Sequence, residues 1–149
     1  MHKKRLALAA VCVALVVLCA MPVFSAKKVT ITYGNFSAGS DNEPTLNAMK
    51  AAFEKANPDI EVKLQSTGFG EYFRLLQTQV AGGTAPDCYE LNYENFVAFA
   101  AKNALADLGP LAKAAGVSFS GYDANALDAF KYKGKQFGVP SSYSVVLLF

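Results

Sequence analysis

Tryptophan is absent from the 149 residues, and His2 is the only histidine. Without a second histidine, a Ser–His–Asp triad and a His-based metal site are both excluded. Cysteine is scarce. Cys12, Cys19 and Cys88 form no C-x-x-C pair, which excludes a zinc ribbon and a thioredoxin-type dithiol. Charge is sparse and nearly balanced, with 17% of residues charged and a formal net charge of +2. Lys3, Lys4 and Arg5 account for that excess; the rest of the chain carries 11 basic and 12 acidic residues. A nearly neutral chain lacks the basic surface of a strong electrostatic nucleic-acid binder, so no nucleic-acid partner is expected. What the sequence does have is apolar content, 52% of it. That is globular composition, and the length predicts one domain or one and a fraction.

The first 26 residues read as an address. His2-Lys3-Lys4-Arg5 is a positive n-region, and Leu6 to Met21 follows without a charge or an amide. Pro22 ends the run, and Val23-Phe24-Ser25-Ala26 offers small residues to a signal peptidase, with cleavage after Ser25 or Ala26. Two other readings stay open. The apolar run could remain as a membrane anchor, although it is shorter than the roughly 20 residues a span needs. Cys19 could become a lipid-modified N-terminus, although Val16-Val17-Leu18 before it lacks the usual small residue. Removal of the segment leaves Cys88 as the single thiol, expected as a buried small apolar residue.

The remaining chain alternates strand and helix. Val29, Ile31 and Tyr33 alternate with threonines as a first strand, and Ile60, Val62 and Leu64 form a second. Between them Asp41 or Asn42 can cap a helix with Pro44 in its first turn. Leu46, Met49, Phe53 and Ala56 make its apolar face, and Asn57-Pro58 stops it. Phe69, Phe73, Leu76 and Val80 make the stripe of a second helix closed by Gly82-Gly83, and Asp87 to Leu91 reads as a third strand. Phe96, Phe99 and Ala100 mark a third helix; Leu105 to Leu111 reads as a short bent segment, and Ala126, Leu127 and Phe130 suggest one more helix. Lys133-Gly134 predicts a tight hairpin. The β-α-β-α-β order predicts an α/β fold, a mostly parallel sheet with helices on both faces. The apolar run Val145 to Phe149 closes the chain without a polar cap, and a fragment is expected on that ground.

Most catalytic signatures fail. Thr67-Gly68-Phe69-Gly70-Glu71-Tyr72-Phe73 has Phe73 where a dinucleotide fingerprint needs its third glycine. Gly82-Gly83-Thr84-Ala85-Pro86 has no lysine for a phosphate loop, and no cofactor is expected. Glu90 and Glu94 lie four apart, but the first reads as strand and the second as loop, so a carboxylate pair need not converge.

Four stretches carry a resemblance that covers nearly all of the chain after residue 26. They are Val29-Thr30-Ile31-Thr32-Tyr33-Gly34 with Ala52-Phe53-Glu54-Lys55-Ala56-Asn57-Pro58, Tyr72 to Gln79 with Ala81-Gly82-Gly83-Thr84-Ala85-Pro86-Asp87, Phe99 to Leu108, and Tyr132 to Pro140. In order and spacing the chain resembles the N-terminal lobe of an extracellular solute-binding protein of an ABC transporter, in the sugar-binding family that includes maltose-binding protein. The resemblance implies a periplasmic binding protein-like lobe (type II) over residues 27–139, after a signal peptide at 1–26. A hinge crossover would occupy 140–149, truncated before the second lobe. It implies a carbohydrate solute, a membrane permease as partner, a periplasmic or extracellular location, no catalysis, and a monomer when complete. A secreted carboxylate-pair enzyme and a non-functional fragment remain the alternatives.

In open α/β sheets the ligand lies beyond the carboxyl ends of the strands, where the winding reverses. With the first strand central, the loops at Asn35, Phe36 and Ser37 and at Asn92, Tyr93 and Glu94 converge there. Their rings, amides and carboxylate suit sugar faces and hydroxyls. The resemblance adds Tyr72 at the cleft and Ser142 and Tyr143 in the hinge segment. Each has a structural alternative: core packing for Phe36, turns for Asn35 and Asn92, the wet side of a helix for Tyr72. The missing tryptophan departs from the stacking that sugar binders often use.

Overall fold

A computed structural model describes residues 28–142. Residues 1–26, expected to be a signal peptide, with Cys12 and Cys19, the candidate Tyr143 and the closing run 145–149 lie outside the described residues. The alternating residues form β1 (Val29–Asn35) and β2 (Ile60–Ser66), which pair in parallel along their whole length, from Val29 opposite Ile60 to Asn35 opposite Ser66. On the other side of β1 lies the short β3 (Cys88–Tyr89), also parallel, giving the order β2-β1-β3. The first strand is therefore central, the arrangement on which the strand-end placement of the site depends.

The expected third strand shrinks because side chains replace part of its ladder. The Asp87 carboxylate accepts the Thr32 amide and the Thr32 hydroxyl, both at 2.7 Å, while the Asp87 amide donates to that hydroxyl at 2.9 Å. The Thr32 hydroxyl and amide hold the Asp87 carboxyl below the usual carboxylate range. Beyond the ladder the Glu90 amide still donates to the Gly34 carbonyl at 2.9 Å. Tyr89 packs with the core, so Cys88 beside it takes the opposite face and is exposed, not buried as expected.

Between β1 and β2 runs α1 (Glu43–Ala56), with a proline in its first turn. Asn42 stands at its N-cap, but its side chain makes no capping bond; the Glu43 carboxylate reaches back to the Gly39 amide instead, at 3.2 Å. Glu54 docks the helix on the sheet. It accepts the Val62 amide and the Lys50 ammonium, each at 2.8 Å, and the Lys50 bond leads in lowering its pKa. The stripe expected to be buried is not: Met49 is 63% and Phe53 42% exposed. Leu46, of the same stripe, is half-buried.

α2 (Phe69–Ala81) joins β2 to β3 and buries Tyr72 and Leu76. With Phe99 of α3 (Tyr93–Ala101) they form the core, flanked by Phe36, Phe73, Val80, Tyr89 and Leu91. Two short helices follow, α4 (Leu108–Ala115), where a bent segment was expected, and α5 (Ala124–Asp128). The Asp107 and Asp123 side chains cap them. The predicted hairpin joins β4 (Lys131–Tyr132) to β5 (Lys135–Gln136). Lys133 and Gly134 have φ of 49° and 78°, the pair of left-handed residues that a two-residue type I′ turn requires. The buried Gln136 amide donates to the carbonyls of Leu127 and Gly138, tying the hairpin to α5 and to the segment that reaches Ser142. Among the described residues no helix is long and apolar enough to cross a membrane.

Candidate ligand-binding site

β1 ends in a crowded place. A Cβ at Gly34 would lie 2.9 Å from the Pro86 ring, 3.3 Å from Tyr89 Cβ and 3.4 Å from the Tyr72 hydroxyl, so only glycine lets the strands and α2 approach this closely. Asn35 follows, fully buried. Its Oδ1 accepts the Ser37 amide at 3.1 Å, while its Nδ2 has no partner among the described residues. Ser37 is also buried and bridges to Gly68; its carbonyl accepts the Ser40 amide and hydroxyl. These two residues build the turn after the strand.

Phe36 is half-buried in an aromatic cluster. Its ring meets those of Phe69 and Tyr72 edge-on, each at 5.5 Å between centroids. Tyr72 is 3% exposed, and its hydroxyl donates to the Glu90 carbonyl at 3.0 Å. Burial, followed by the Glu90 charge, pushes that hydroxyl's pKa well above its ordinary value. Tyr72 therefore sits in the core, neither on the wet side of α2 nor free to reach into a cleft.

At the end of β3 the residues expected to form a loop begin a helix. Asn92 is the N-cap of α3, its Oδ1 accepting the Asn95 amide at 3.3 Å. Glu94 is exposed in the first turn. Tyr93 is 60% exposed, a large ring left in solvent at the carboxyl end of the sheet. Ser142 is exposed at the far end of the described chain.

An open groove of about 1510 Å³ gathers some of these candidates. Phe36, Asn92, Tyr93, Glu94 and Ser142 line it; Asn35, Ser37 and Tyr72 do not. Glu90 lines it too, and sequence reasoning weighed that residue only as half of a carboxylate pair. Its carboxylate accepts the Tyr33 hydroxyl at 2.7 Å, a contact across 57 positions that leaves no local signal. Among the described residues, no three His, Cys, Asp or Glu side chains come together to hold a metal ion.

A parallel sheet with helical crossovers and a mostly apolar groove that reaches its carboxyl end, edged there by Phe36 and Tyr93, has the form of a ligand-binding α/β lobe. Residues 38–149 match the bacterial extracellular solute-binding proteins, and the chain belongs to that family. Solved structures agree. An ABC substrate-binding protein of Listeria monocytogenes, in complex with cycloalternan, is 49% identical over 73% of this chain, with a TM-score of 0.65. A family 1 extracellular solute-binding protein of Alicyclobacillus acidocaldarius is 34% identical over 78%, with a TM-score of 0.67. A periplasmic oligogalacturonide-binding protein of Yersinia enterocolitica, in complex with saturated digalacturonic acid, is 25% identical over 77%, with a TM-score of 0.66. The chain spans about 28% of the length of each. The fold is thus that of a periplasmic binding protein lobe.

Proposed function

We propose that this chain supplies the first lobe of an ABC-transporter substrate-binding protein that captures a carbohydrate and hands it to a membrane permease. The observation that carries the reading is the exposed Tyr93 ring beside Asn92, Glu90 and Glu94 in the groove at the sheet's carboxyl edge. A ring face stacks on the apolar face of a sugar, and amides and carboxylates take its hydroxyls. The saccharide complexes of the Listeria and Yersinia proteins support the same ligand class. In this reading, residues 1–26 direct export and residues 27–139 form one wall of the cleft. Residues 140–149 lead toward a second lobe that closes over the solute. The work is capture without chemistry: the Glu90 carboxylate is engaged by Tyr33, and Glu94 stands in solvent. The complete protein acts as a monomer outside the cytoplasm.

Calorimetric titration of the exported protein with a panel of oligosaccharides tests this. The expected result is saturable binding of at least one saccharide in the micromolar range or tighter, with the isolated residues 27–149 binding far more weakly because one wall leaves the ligand solvated. Binding of amino acids or peptides but of no saccharide would overturn it.

A further inference from the structure

Three helices begin at the carboxyl edge of the sheet: α1 at Glu43, α2 at Phe69 and α3 at Tyr93. Helix N-termini favour anions, through free N–H groups and the positive end of the macrodipole. Here each first turn carries its own carboxylate, Glu43, Glu71 and Glu94. The connecting segments 35–42, 66–68 and 90–92 add Asp41 and Glu90, and they hold no lysine, arginine or histidine; nor does 137–142. The nearest cation along α2, Arg74, pairs with Glu71 at 3.4 Å.

Glu90 is the acid built into this edge. Its amide donates to Gly34, its carbonyl accepts Tyr72, and its Oε1 accepts the Tyr33 hydroxyl. Burial first, and then the Glu90 carboxylate, push the Tyr33 pKa well above its ordinary value, so Tyr33 remains a donor. With Oε1 engaged, Oε2 is the acceptor left to a ligand in the groove that Glu90 lines.

We propose that the Glu90 carboxylate, positioned by Tyr33, binds solute hydroxyls and selects neutral saccharides over anionic ones. The inference rests on the carbohydrate reading above and narrows it. A fixed carboxylate accepts hydroxyls well. A uronate brought beside it loses water next to a like charge, and among the described residues the groove's one cation, Lys102, stands at the C-terminal end of α3, away from this edge. The likeness to a digalacturonate-binding protein therefore extends to the fold and not to the charge of the ligand.

The test is calorimetry on the complete protein. The probes are neutral gluco-, galacto- and xylo-oligosaccharides and oligogalacturonates of matched length. Neutral sugars should bind, and matched uronates at least about a hundredfold more weakly. Glu90→Gln should weaken the neutral ligand about fivefold to tenfold, since a charged acceptor exceeds a neutral one by about 1 kcal/mol. It should also narrow the gap to uronates. Tyr33→Phe should weaken the neutral ligand in the same direction, with a thermal melt reporting any loss of fold in either variant. Uronates binding as tightly as neutral sugars would overturn the proposal, as would a folded Glu90→Gln protein with both affinities unchanged. Binding of no saccharide at all is a different failure, that of the carbohydrate reading itself.

Discussion

Tyr72 offers the sharpest separation of core from cleft. Its hydroxyl donates to the Glu90 carbonyl at 3.0 Å, and its ring lies 5.5 Å from that of Phe36 and 5.2 Å from that of Phe73. Tyr72→Phe keeps the ring and removes one hydrogen bond, which should cost about 1 kcal/mol of stability. With a urea m-value of about 2 kcal/mol/M, that moves the unfolding midpoint down by about 0.5 M. Tyr72→Ala also removes the edge-on aromatic contacts beside Leu76 and Phe99, and should cost about 3–5 kcal/mol. That is a large share of the roughly 5–15 kcal/mol that holds a typical domain folded. Urea unfolding followed by far-ultraviolet circular dichroism, with calorimetric titration of the same Phe variant, reads both effects. Affinity for the solute should change by less than about twofold for Phe, because the hydroxyl faces the protein. An unchanged urea midpoint with a tenfold loss of affinity would show that the hydroxyl serves the ligand, and would refute the placement of Tyr72.

Gly34→Ala should cost about 1–3 kcal/mol in the same unfolding assay, because its Cβ would meet the Pro86 ring at 2.9 Å and Tyr89 Cβ at 3.3 Å; a neutral effect would show that β1 and β3 are not packed this closely. Asp87 has a folded pKa below its unfolded value, so its contribution is present above the ordinary carboxylate pKa and is lost as pH falls through the folded one. Between about pH 6 and about pH 3 the Asp87→Asn variant should lose less stability than the wild type, and parallel acid limbs would contradict the Thr32 contacts. In the complete protein Tyr93→Ala should weaken solute binding by about 1–3 kcal/mol with little change in melting temperature, since the ring is 60% exposed; the reverse pattern would move it to the core.

The sheet was legible because its signals are local. Alternation at Val29, Ile31 and Tyr33 and at Ile60, Val62 and Leu64, with a helix-length segment between, leaves little choice but parallel pairing of two strands. Periodicity also gave α1 and α2, but it reports an apolar face and not what covers it. Met49 and Phe53 therefore misled about burial. Asn92 could have been read as a cap, since it stands just before the Phe96 and Phe99 stripe. The contacts that shape the edge could not. Thr32 with Asp87 and Tyr33 with Glu90 join residues 55 and 57 positions apart, and no local pattern announces them. For the same reason the sequence did not separate Tyr93, which faces solvent, from Tyr72, which fills the core.

Amide hydrogen exchange on the complete protein, with and without a saturating oligosaccharide, tests the central claim that solute binds at the carboxyl edge of the sheet. Protection should rise in residues 36–42, 66–70, 90–95 and 137–142, and hardly at all in residues 57–59 and 112–118, which lie off the groove. Protection confined to that second set, or absent from 90–95, would contradict the account.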